Sequence, residues 1–192
     1  MKRVFLMLTL AVALCFGLSK DEIKTTMQQK IAVGMEIMQE KSSNEAKATK
    51  IFVLFDEYFD YGLMTRISLS NHYKNLTKSQ IKQFEEAFEN RLRESFIKQL
   101  SLYNGQTMKI VDEIFPNEKR VVLKSELVGE DKNYNIDFKF YPKGKDNWLI
   151  YDVDILGVSI VATYRSQFAD LANNVSFEEM LNKLKATDVE IK

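Results

Sequence analysis

Few side chains in this sequence have the types and spacing to do chemistry. Asp56, Glu57 and Asp60 cluster beside aromatic residues, and a carboxylate pair could divide general acid and base work between its members. The bland alternative, the solvated edge of a helix, is the favoured reading. His72 is the only histidine. It lies in polar surroundings, where a partly exposed or cap-forming imidazole is the ordinary role. With one histidine and one cysteine, zinc, copper and thiol or Ser–His catalysis lack their usual ligands and partners. There is no Gly-rich phosphate loop, and the basic–aromatic stretch Lys139–Lys145 reads as a hairpin end. Asp152 is harder to set aside. Between Tyr151 and Val153 it could be an acid whose pKa an apolar cavity raises. Equally, it could accept hydrogen bonds near Ser159 or Arg165 and hold a strand-to-helix turn, which is the favoured role. The sequence therefore assigns no catalytic residue, no metal and no cofactor.

The elements that would position these groups follow from periodicity. Ile23, Met27, Ile31, Met35 and Met38 form one helical stripe. Lys41–Asn44 breaks it and offers an N-cap to a second helix carrying Ile51–Phe55, apolar all round and so expected to be buried. Tyr58, Phe59 and Tyr61 follow, then a short segment from Leu63 to Lys74. Thr77 and Gln80 make a capping box for a long helix whose face is Ile81, Phe84, Phe88, Leu92, Phe96, Leu100 and Tyr103. Asn104-Gly105 stops it.

Beyond Gly105 the period becomes two. Met108 and Ile110, then Val121, Leu123 and Leu127, then Tyr134, Ile136, Phe138 and Phe140 mark three strands. A fourth spans Trp148–Ile155. The expected joins are Phe115–Lys119, Gly129–Lys132 and Pro142–Asp146. A helix from about Ser159 to Asn173 and a short turn capped by Ser176 complete the chain. The fourth strand is odd, because apolar side chains fall on both of its faces, where a sheet with one wet face would alternate cleanly. Helices, strands, then helices again predict an α+β domain, N-terminal helices packed on a four-stranded antiparallel sheet.

Composition limits the possible partners. Twenty-seven basic and 27 acidic residues cancel, which argues against nucleic acid. Lys2-Arg3, an uncharged apolar run from Val4 to Leu18 and small residues at Gly17 and Ser19 have the layout of a secretory signal peptide cleaved after Ser19. The remaining domain, 20–192, would hold 25 basic and 27 acidic residues, a formal charge of −2, and no cysteine. It would work in an oxidising compartment without disulfides. With 13 Phe, 8 Tyr and 8 Met, the positive signal is large apolar side chains. These could fill a dense core or line a cavity.

Three blocks resemble the MlaC type, or toluene-tolerance, family of periplasmic phospholipid carriers. The first is Phe59-Asp60-Tyr61 with Leu69–Thr77 and the helix Gln80–Leu100. The second is Leu102–Thr107. The third combines Trp148, Tyr151-Asp152-Val153, Gly157-Val158-Ser159 and Tyr164–Phe168, with Met180, Leu181 and Leu184 beyond. Ser70 stands where the family usually has glycine, Leu156 where an acidic residue is frequent, and Asn173-Asn174 in place of a glycine-bearing turn.

The resemblance implies a nuclear-transport-factor-like cone with an internal apolar cavity for acyl chains, and no enzymatic activity. It implies export to the periplasm and shuttling of phospholipid between outer and inner membranes, which maintains outer-membrane lipid asymmetry. The implied partners are an outer-membrane lipoprotein–porin complex and an inner-membrane ABC transporter with its substrate-binding ring. Strand alternation and helix faces then nominate Phe55, Phe59, Val121, Leu123, Ile136, Phe138, Ile150, Tyr151, Val153 and Val158 as cavity lining. A small-molecule enzyme built on Asp152, or an adaptor with a filled core, is the competing class.

Overall fold

A computed structural model describes residues 17–171 and 174–186. Most of the expected leader (1–16) lies outside the described residues, as does Asn173. Helices α1 (Ile23–Gln39), α2 (Asn44–Phe55), α3 (Tyr61–Leu69) and α4 (Lys78–Leu100) come first. Five strands follow: β1 (Thr107–Asn117), β2 (Arg120–Val128), β3 (Asn133–Gly144), β4 (Asn147–Ile155) and β5 (Val158–Ser159). Helices α5 (Ile160–Leu171) and α6 (Phe177–Ala186) close the chain. The strands form one antiparallel sheet in sequential order. The α+β expectation is met, with five strands in place of four.

The extra strand comes from two residues. Leu156 and Gly157 both have positive φ, 54° and 81°. This is the backbone of the tightest hairpin turns, whose twist matches that of the flanking strands. It pairs Ile155 with Val158 and Asp154 with Ser159 before α5 begins. Glycine marks only half of such a turn, so the stretch looked like a direct passage from strand to helix. The first hairpin is also tighter than expected. Asn117 pairs with Arg120, so Phe115 and Pro116 belong to β1, where an edge strand tolerates proline. Ser70, at the end of α3, has φ 51°, a backbone that glycine adopts without steric cost.

The helix ends follow the sequence. Ser43 Oγ accepts the Ala46 N–H at 3.2 Å, and Thr77 Oγ1 accepts the Gln80 N–H at 3.2 Å while Gln80 Oε1 accepts the Thr77 N–H at 3.0 Å. Apolar packing falls into three clusters. Met64, Leu69, Phe84, Phe88, Tyr164, Phe168, Met180 and Leu184 join α3, α4, α5 and α6. Met38, Ala48 and Leu100 tie α1, α2 and α4. The third lies on one face of the sheet, under α1. No helix among the described residues is long and apolar enough to cross a membrane.

Candidate functional site

The two-faced fourth strand has a local cause. In β3–β4 pairing, Phe140 meets Ile150 and Lys139 meets Asp152, so Tyr151 is an extra residue in β4. Such a bulge reverses the alternation on either side of it. Trp148 and Ile150 before it, and Val153 and Ile155 after it, therefore share one face with Ile136, Phe138 and Phe140 of β3 and Val121 and Leu123 of β2. One continuous apolar inner face results.

Along the strands this face passes from sealed to open. At the level of Val121, Phe140 and Ile150 the side chains are fully buried. Leu18, Ile23, Met27 and Trp148 close that end. At the level of Ile110, Ser125, Ile136 and Ile155, the three isoleucines keep part of their surface exposed, as Phe138 does one step before them. Phe55, Tyr58 and Phe59, from the end of α2 and the 3-10 turn after it, pack against the same cluster and are also half-buried. Phe59 is held against the sheet by its bridge to Ile150, and the Asp60 N–H donates to the Ile150 carbonyl at 2.9 Å. Two polar residues interrupt the inner face: Ser125 donates its hydroxyl to the Ile136 carbonyl, and Glu113 of the edge strand β1 stands opposite Leu123, its carboxyl held above the usual range by burial. At this end large apolar side chains keep part of their surface exposed.

Eight of the ten residues nominated from the sequence belong to this face or its helical rim: Phe55, Phe59, Val121, Leu123, Ile136, Phe138, Ile150 and Val153. Tyr151 and Val158 are placed elsewhere. Tyr151, at the bulge, makes an edge contact with Tyr141 and lies under the Arg120 guanidinium, 5.0 Å from its ring centre. Val158 sits in β5 and is 44% exposed. Ile110, Ile155, Tyr58 and Ile160 join the cluster without having been nominated. Ile110 was legible as an inward strand residue. Ile155 was hidden by the bulge, which no local composition announces.

The titratable groups have structural employment. Asp152 is 3% exposed and accepts from Ser159 Oγ at 2.7 Å, Lys139 Nζ at 3.0 Å and the Val161 N–H at 3.2 Å. It thus fixes the start of α5, as the turn-holding reading expected. Burial works to lower the Lys139 pKa, but hydrogen bonds to Asp154 and Asp152 outweigh it and hold the ammonium above its ordinary value. Asp60 caps α3 through the Leu63 N–H at 3.0 Å and takes hydrogen bonds from the Tyr141 hydroxyl and, at 3.1 Å, Lys143 Nζ. Burial would raise its carboxyl. The three donors prevail and hold it below its usual value. Asp56 accepts from Tyr61 at 2.9 Å and from Arg93 at 2.7 Å. His72 lines a separate surface groove of about 520 Å³ with Ser70, Asn71, Arg165 and Ser166. Among the described residues no cluster of three or more His, Cys, Asp or Glu could hold a metal ion.

The fold and this face define a class: α+β domains whose helices cover one side of an antiparallel sheet over an apolar interior. The chain belongs to the MlaC family, described as "MlaC protein", which it matches over residues 25–186. Among solved structures it is similar to a phospholipid-binding protein from Ralstonia solanacearum in complex with a phospholipid. The TM-score is 0.72 at 19% identity, covering 85% of this chain and 94% of that one. The fold is therefore shared.

Proposed function

We propose that this protein is a phospholipid-binding carrier and not an enzyme. It takes acyl chains into the open end of the inner face. The half-buried row Ile110, Ile136, Phe138 and Ile155, in one cluster with Phe55 and Phe59, carries the reading. Large apolar side chains left partly exposed at one end of the inner face are an incomplete core, and an apolar guest completes it. Membership of the family and the phospholipid held by the Ralstonia protein support the choice of guest.

The energetics suit a shuttle. A sixteen-carbon chain costs on the order of 12 kcal/mol to expose to water at about 0.8 kcal/mol per methylene. Unaided desorption is therefore negligible, and a carrier must offer apolar surface nearly equal to the bilayer. A largely apolar lining does so without selecting a particular tail. Head groups then remain at the mouth, in solvent. The near balance of basic and acidic residues limits electrostatic adhesion to anionic membrane surfaces, as repeated release requires.

In this reading the protein is exported to the periplasm and moves phospholipid between the outer and inner membranes, sustaining outer-membrane lipid asymmetry. It meets an outer-membrane lipoprotein–porin complex and an inner-membrane ABC transporter with its substrate-binding ring. The engagement of Asp152 in capping α5 weighs against an isomerase- or dehydratase-like acid at that position. The test is transfer of fluorescent phospholipid from donor to acceptor vesicles. Acceleration proportional to protein concentration is expected, and transfer no faster than the protein-free rate would overturn the proposal.

A further inference from the structure

We infer that the export leader ends before Gly17, so that Gly17, Leu18 and Ser19 remain part of the folded carrier. The inference rests on the export reading above. Four contacts build this segment into the domain. The Trp148 N–H, at the start of β4, donates to the Leu18 carbonyl at 2.8 Å. The Leu18 side chain is 9% exposed and packs in the sheet cluster with Ile23, Met27, Val121 and Trp148. At Gly17 the backbone passes so close to the β3–β4 hairpin that an added Cβ would lie 2.7 Å from Asn147 Oδ1. Ser19 starts the helical turn before α1, its N–H donating to Glu22 Oε2 at 3.3 Å.

Hydrolysis of the Ser19–Lys20 bond would discard all four. It would leave the Trp148 N–H without that acceptor and uncover the sealed end of the inner face. It would also place a new ammonium on Lys20, whose side chain already lies 4.8 Å from the Phe115 ring centre and 5.7 Å from that of Trp148.

The sequence offers an earlier site. Ala13-Leu14-Cys15 has the small–x–small spacing that a signal peptidase reads, and it leaves an apolar run from Val4 to Val12 before it. The enzyme adds water across the Cys15–Phe16 peptide bond. The leader departs with the new carboxylate and the carrier keeps the new ammonium.

The experiment expresses the full chain with its own leader in a Gram-negative host and measures intact mass and N-terminal peptide of the periplasmic protein. A start at Phe16 is expected. A start at Lys20 in protein recovered from the periplasm overturns the inference and leaves export intact. An unprocessed chain that never reaches the periplasm overturns both. As a second readout, Leu18→Ala in the exported protein lowers Tm by about 5 °C if Leu18 is retained in the core. An unchanged Tm contradicts its retention.

Discussion

Phe138→Asp puts a charge on the inner face where the face begins to open. Phe138 pairs with Leu123 on one side and Val153 on the other and is only half-buried. An aspartate there keeps access to water because the site is partly exposed, so the fold persists at a cost of roughly 1 to 3 kcal/mol in lost packing. The guest fares worse. An acyl chain lying across that position sets about four methylenes against a hydrated carboxylate. At about 0.8 kcal/mol each, roughly 3 kcal/mol of burial is forfeited. With about 1.4 kcal/mol per factor of ten, affinity falls more than about a hundredfold. The assay is native mass spectrometry of variant and wild type purified in parallel, with circular dichroism to establish folding. Val122→Asp, on the reverse face of β2 opposite Lys139, is the control and retains lipid. A folded Phe138→Asp protein with wild-type lipid occupancy would refute the assignment of this face as the binding surface.

Leu123→Asp, one strand away, gives a different result. Leu123 is fully buried and an aspartate carboxylate in its place could not hydrate, so the protein is expected to be insoluble or to have lost its cooperative melt. Asp152→Asn removes the charge shared by Lys139, Ser159 and the Val161 N–H. A loss of about 2 to 4 kcal/mol, read by denaturant titration, is expected with lipid retained. Gly34→Ala adds a methyl at ordinary contact distance, 3.5 Å from Phe55 Cε2, within α1. It raises stability by about 0.5 to 1 kcal/mol in the same titration. Asp60 gives an acid dependence. Its folded pKa lies below its ordinary value, so its contribution is full above that value and is lost as pH falls through the folded pKa. The Asp60→Asn difference in stability should shrink on titration from pH 6 to about pH 3, and a constant difference would contradict this.

The helices were legible because their signals are local: the Ser43 and Thr77 caps, the stripe from Ile23 to Met38, and the face from Ile81 to Leu100. Strand alternation gave the inward residues of β2 and β3 for the same reason. What sequence left hidden depends on register. The extra residue at Tyr151 moves Ile155 to the apolar face and Tyr151 off it, and only the pairing with β3 reveals that. The turn at Leu156-Gly157 needs positive φ at a leucine, which its chemistry does not advertise, so Val158 looked like lining when it is an exposed residue of β5. The gradient from sealed to open is also non-local. It depends on Leu18, Met27 and Trp148 meeting at one end of the sheet, residues up to 130 positions apart.

The central claim is that the inner face holds phospholipid. Native mass spectrometry of the protein purified under gentle conditions, followed by lipid extraction, tests it most directly. A mass increment matching one diacyl phospholipid in near-stoichiometric amount, recovered in the extract, is the predicted result. A protein free of lipid that also takes up none from added phospholipid vesicles would contradict the account.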